Sequence, residues 1–113
     1  KLVVTHPEWW VVDMSIDDQI RLVKDYDVIL ERCYAQNMGG GKYKSNLPDN
    51  LDLIHAVGYE HVMVDTDGGQ TENPHWELAL EEYMQYLVDH GIPEEQVYHM
   101  TKTIPYRLLG IEE

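Results

Sequence analysis

The sequence predicts an α/β fold of parallel strand–helix units, in the order β-α-β-α-β-α-α. Three observations predict it. Short apolar, β-branched runs stand at residues 2–5, 27–34 and 61–66, the stretches between them carry helical periodicity, and glycine or proline punctuates the junctions. Strands separated by helices imply right-handed crossovers, which places the three strands in one parallel sheet with helices packed against it.

Leu2, Val3, Val4 and Thr5 form the first run, closed by His6 and Pro7. Proline biases the residue before it away from helix, so a strand followed by a loop is expected. Ser15 with Asp18 three residues on resembles a capping box, and Ile16, Ile20 and Val23 recur at helical spacing, predicting a helix over residues 16–24. Val28, Ile29, Leu30 and Cys33 make the second run nearly continuous, the pattern of a strand buried on both faces. Gly39, Gly40 and Gly41, with Lys42, Tyr43 and Lys44 beside them, read as a loop over residues 35–46.

Pro48 near a helix start, Leu51, Ile54 and Val57 on one face, and Gly58 as a left-handed stop describe a helix of about ten residues. His61 to Thr66 is the third strand, running into Asp67, Gly68 and Gly69. Asn73 and Pro74 read as an N-cap with proline at the first helical position, and Trp76, Leu80, Tyr83 and Leu87 form one apolar stripe ending near Gly91. Pro93, Val97, Met100 and Ile104 continue as a short helix, with a final turn over residues 105–109.

Charge excludes some partners. With net charge −13 and eight Lys plus Arg, the chain lacks the electrostatic attraction that supplies most non-specific nucleic-acid binding, and it is repelled by anionic membrane surfaces. Cys33 is the only cysteine, so an intrachain disulfide is ruled out, and its place in an apolar run predicts burial. No run approaches the roughly 18 apolar residues of a membrane span, which leaves a cytoplasmic location as the expectation. At 113 residues the chain forms one segment, 1–113, well short of the roughly 250 residues of a complete (β/α)8 barrel, and Lys1 at its start suggests a fragment that begins within a fold.

In parallel α/β sheets, chemistry gathers outside the carboxyl ends of the strands, where loops converge and helix N-termini point inward. His6, residues 33–36 and residues 65–69 all occupy such ends. An imidazole after one strand and a carboxylate after another make the beginning of a zinc-class metal site, although a catalytic metal normally takes about three protein ligands. From spacing alone the commoner reading of His6 is a hydrogen-bonded loop histidine, and that of Asp67, before glycine, a turn former. Glu31 is a charge inside a buried-looking strand, facing either the site or solvent at a sheet edge. Asp65 shares a strand face with Asp67 by alternation, and Trp9, Trp10 and Trp76 are candidates for a pocket wall or for core. The tri-glycine segment with Lys42 and Lys44 lacks P-loop spacing.

Several motifs together carry a family resemblance. Thr5-His6-Pro7 after an apolar strand, the stretch Met63-Val64-Asp65-Thr66-Asp67-Gly68-Gly69-Gln70 with Asn73-Pro74 behind it, and the tail from Gly91-Ile92-Pro93-Glu94-Glu95-Gln96-Val97 to Ile104-Pro105-Tyr106-Arg107-Leu108-Leu109-Gly110 resemble the carboxyl-terminal part of amidohydrolase and phosphotriesterase-like hydrolases. The resemblance implies the last three strands of a TIM barrel, with His6 as a metal ligand, Asp67 as metal ligand and general base, and Glu31 in the strand between them. It further implies a divalent metal, zinc foremost, a small-molecule amide, ester or phosphoester substrate, and association with the remainder of the barrel or an oligomer. The strands that supply the family's remaining ligands have no counterpart in these residues. A non-catalytic α/β module that binds a partner or oligomerises through its exposed sheet edge or the loop of residues 39–41 is the alternative.

Overall fold

The structure is a computed structural model that describes the backbone of residues 1–37 and 43–112 and the side chains of residues 1–34 and 45–112. Three strands, β1 (Val3–Thr5), β2 (Ile29–Cys33) and β5 (Val62–Asp65), form a parallel sheet in the order β1-β2-β5. The expected parallel α/β arrangement is therefore present. Its register pairs Val3 with Ile29, Thr5 with Glu31, Glu31 with Met63, and Cys33 with Asp65. All three carboxyl ends consequently lie along one edge.

The helices form for the reasons the sequence indicates, with instructive exceptions. Helix α1 (Ile16–Tyr26) is capped by Ser15, whose hydroxyl accepts from the Asp18 N–H at 3.1 Å, and it closes on Asp27 in a left-handed conformation. Helix α2 (Leu47–Val57) carries Pro48 in its first turn and stops at Gly58, whose φ of 90° and ψ of 146° lie outside the left-handed helical region expected there. Helix α3 (Trp76–Asp89) begins two residues later than the Asn73-Pro74 signal indicates, because Asn73 instead closes a turn on Gln70 through both its N–H and its side chain. Its buried stripe is Ala79, Tyr83 and Leu87, while Trp76 is 56% exposed.

Two other expectations are corrected. Residues flanking the glycine segment pair as an antiparallel hairpin of β3 (Ala35–Asn37) and β4 (Tyr43–Ser45) rather than forming an irregular loop. Gly39, Gly40, Gly41 and Lys42 lie outside the described residues, as does the Lys44 side chain. The tail runs without a break through α4 (Glu94–Tyr98), a π turn (His99–Thr103) and α5 (Ile104–Leu109). The wide turn stands where Pro105 cannot donate a helical hydrogen bond, so widening the helix before it avoids a clash.

The core lies on one side of the sheet. Leu30, Val62 and Val64 face the same way, and around them pack Val23, Leu53, Ile54, Ala79, Tyr83, Leu87 and Met100, all buried. Burying each such side chain contributes about 1.5–3 kcal/mol, which makes this face the source of most of the fold's stability. The opposite face carries Thr5, Glu31, Met63 and Asp65, all at least partly exposed, together with Ile29 and Cys33, which are buried. At its amino end a cavity of about 540 Å³ is lined by Lys1, Ile29, Glu60, His99, Ile104, Arg107 and Leu108. None of the described helices is long and apolar enough to cross a membrane.

Candidate metal centre

Strand periodicity and register build the central group. Glu31 and Cys33 stand two residues apart on β2, so they share a face, and Asp65 on β5 is the register partner of Cys33. The Cys33 Sγ and one oxygen from each carboxylate all lie within 4.8 Å of one another. Cys33 itself is 0% exposed.

Burial and the neighbouring carboxylate change the protonation of Asp65. Burial pushes the Asp65 carboxyl up to about 8, the hydrogen bond to Glu31 and its charge add to the rise, the Cys33 thiol opposes it, and the charge of Asp67 contributes further. The Cys33 thiol is likewise pushed far up, first by burial and then by the negative charge of Asp65, which keeps it a neutral donor. Asp65 Oδ1 is buried without a hydrogen-bond partner. A buried oxygen of this kind is costly unless something electropositive meets it.

His6 and Asp67 flank this group. His6 follows β1 directly with φ 34°, its N–H donates to the Glu31 carbonyl at 3.0 Å, and its ring meets the edge of Trp9 with centroids 5.0 Å apart. Its Nδ1 is buried without a hydrogen-bond partner. Asp67 lies two residues beyond β5 with φ 47°, so the strand alternation that would align it with Asp65 is broken at that point. Gly68 lets the chain pass close to α3, since a Cβ there would sit 3.1 Å from the Trp76 Cβ and 3.2 Å from the Thr66 hydroxyl. Its N–H donates to that hydroxyl at 3.1 Å.

The sheet thus places the two predicted residues on opposite sides of β2, at strands about 10 Å apart by ordinary sheet spacing. Neither belongs to the tight group of Glu31, Cys33 and Asp65. Glu31 sits on the central strand, which removes the edge-strand reading of its charge. Trp10 is 55% exposed, so neither it nor Trp76 is a core residue.

The donor set suits a divalent ion of zinc class. Carboxylate oxygens and a cysteine sulfur, as thiolate, are zinc ligands, and Asp65 Oδ1 in this group lacks a hydrogen-bond partner. Sequence reasoning named each of these residues yet did not assemble them. The signal was available in the Glu31-x-Cys33 spacing, which required only the register of β5 to bring Asp65 alongside. It also passed over Arg32, buried on the other face against Glu8, Gln19 and Asn50. Compared with known protein families, with curated proteins and with solved structures, the chain matches none of them.

Proposed function

We propose that this chain supplies the last three strand–helix units of a metal-dependent, amidohydrolase-like hydrolase barrel, and that the carboxyl edge of its sheet forms one side of the active site. The observation that carries this reading is the convergence at that edge of Glu31, Cys33 and Asp65, with Asp65 Oδ1 buried and unpartnered. His6 and Asp67 stand to either side, both in left-handed backbone, a conformation uncommon for side-chain-bearing residues.

In this reading His6 and Asp67 would hold a divalent ion, zinc foremost, and Asp65 Oδ1 would add a carboxylate. Such an ion lowers the pKa of water and polarises a carbonyl or phosphoryl oxygen. Asp67, exposed beyond the end of β5, would be the residue that accepts a proton from water. Glu31 and Cys33 hold Asp65 in place through the contacts that govern its protonation. A small-molecule amide, ester or phosphoester is the proposed substrate.

The edges β1 and β5 pair on one side only among the described strands. Further barrel strands are the proposed occupants of those open sides. The same open edges favour a second reading, a non-catalytic module that associates through them. Elemental analysis of the purified protein separates the two. The hydrolase reading expects close to one equivalent of divalent metal and hydrolysis abolished by Asp67→Asn, whereas a metal-free, self-associating chain indifferent to that substitution supports the module.

A further inference from the structure

Arg32 stands between Glu31 and Cys33 on β2, so alternation turns it away from the acidic group and toward the helices. It is only 1% exposed. Its Nη1 lies 3.2 Å from Glu8 Oε2 and donates to Gln19 Oε1 at 3.2 Å, while its Nε donates to Asn50 Oδ1 at 2.7 Å. Asp49 is a further 3.9 Å neighbour of Nη2. Glu8, 6% exposed, accepts from the Asn46 amide through its other oxygen at 3.2 Å.

Asn50 and Asp49 belong to α2, while the contacts to Glu8 and Gln19 bear on one loop. Glu8 lies two residues past His6, and the Gln19 side chain donates to the Met14 carbonyl at 2.9 Å, so Arg32 engages both limbs of the chain between β1 and α1. The loop also closes on itself, with the Met14 N–H donating to the Pro7 carbonyl at 3.0 Å and the Val12 and Asp13 N–H groups donating to the Trp9 carbonyl. Its tip offers little apolar anchorage, because Trp10, Val11 and Val12 are all exposed. Lifting the loop would separate a buried carboxylate from a buried guanidinium, and either group alone is far more costly than the pair.

We infer that Arg32 is a positioning residue, which clamps the loop of residues 6–14 through Glu8 and Gln19 and thereby fixes His6 at the sheet edge. The inference rests on the reading of His6 as a metal ligand. It gives β2 two tasks, with Glu31 and Cys33 serving the acidic group on one face and Arg32 holding the neighbouring ligand loop from the other.

Hydrogen exchange followed by NMR, together with zinc titration of the intact chain, tests this in the wild type, Glu8→Gln and the double variant Glu8→Leu/Arg32→Met. In Glu8→Gln the amides of Val12, Asp13 and Met14 exchange about tenfold faster while those of Tyr83 and Leu87 keep their protection, a local rather than global opening. Zinc affinity falls about 10–100-fold, the usual effect of losing a group that orients a ligand. The double variant, with apolar side chains in place of the pair, keeps its core protection and shows the same loose loop. Equal acceleration in the loop and α3 reduces Arg32 to a general stabiliser and overturns the inference, as does a loosened loop with unchanged zinc affinity. If the wild type takes up no zinc while the loop responds as stated, the role of His6 as a ligand fails, and the clamp remains as a loop anchor.

Discussion

The two faces of β2 solve opposite problems with adjacent residues. Toward the helices, Arg32 is a full charge in the interior that the opposite charge of Glu8 and the side chains of Gln19 and Asn50 meet. The Tyr83 hydroxyl donates to its carbonyl at 3.2 Å, while Glu8 Oε2 and Arg32 Nη2 have no hydrogen-bond partner. Toward the open face, Glu31 and Asp65 are like charges crowded together, with an oxygen left without a partner. The difference shows where stability and where chemistry were placed. Opposite charges paired in the interior fix a structure, whereas crowded carboxyl groups are relieved by a proton or a cation.

The comparison breaks first at Arg32. Arg32→Ala leaves Glu8 as an uncompensated buried charge and should cost about 3–5 kcal/mol, read as a large drop in the denaturation midpoint. A loss below about 1 kcal/mol would mean that the buried pair contributes little to holding the fold.

The open face responds to pH instead. The Asp65 carboxyl in the folded chain is pushed up to about 8, whereas an unperturbed aspartate ionises near 3.9. Between those limits the folded state holds a proton that the unfolded state has released, so stability of the metal-free chain falls as pH rises from about 4 to about 8. Asp65→Asn should flatten that slope, which urea denaturation at pH 5 and at pH 8 would show. An unchanged slope would place the titration elsewhere.

Smaller effects sharpen the contrast. Ser15→Ala removes the α1 cap and should cost about 1 kcal/mol, because the Asp18 N–H then loses its acceptor. Trp10→Ala should change stability by no more than about 0.5 kcal/mol, since the ring is more than half exposed and is not needed for packing. A larger loss in thermal unfolding would show that the loop tip carries part of the core.

How much of this the sequence disclosed follows from the range of the interactions. Ser15 with Asp18 and the apolar run of β2 were legible because their signals are local, set by one helical turn or one strand. The start of α3 was misread because Asn73 had two local uses, cap and turn, and its bond to Gln70 decided between them. The hairpin of β3 and β4 was missed because three-residue strands carry too little periodicity to register. The acidic group depends on the pairing of β2 with β5, residues more than thirty positions apart, and only register reveals it. Arg32 was hidden for the same reason, since its partners come from the β1 loop, α1 and α2.

Calorimetric titration of the intact chain with zinc tests most directly whether the open face is a metal site. One equivalent should bind with release of a proton, and Asp65→Asn and Asp67→Asn should each weaken binding by at least about tenfold, because every carboxylate removed takes a ligand or its support away. Absence of binding, or binding that both substitutions leave unchanged, would contradict the assignment.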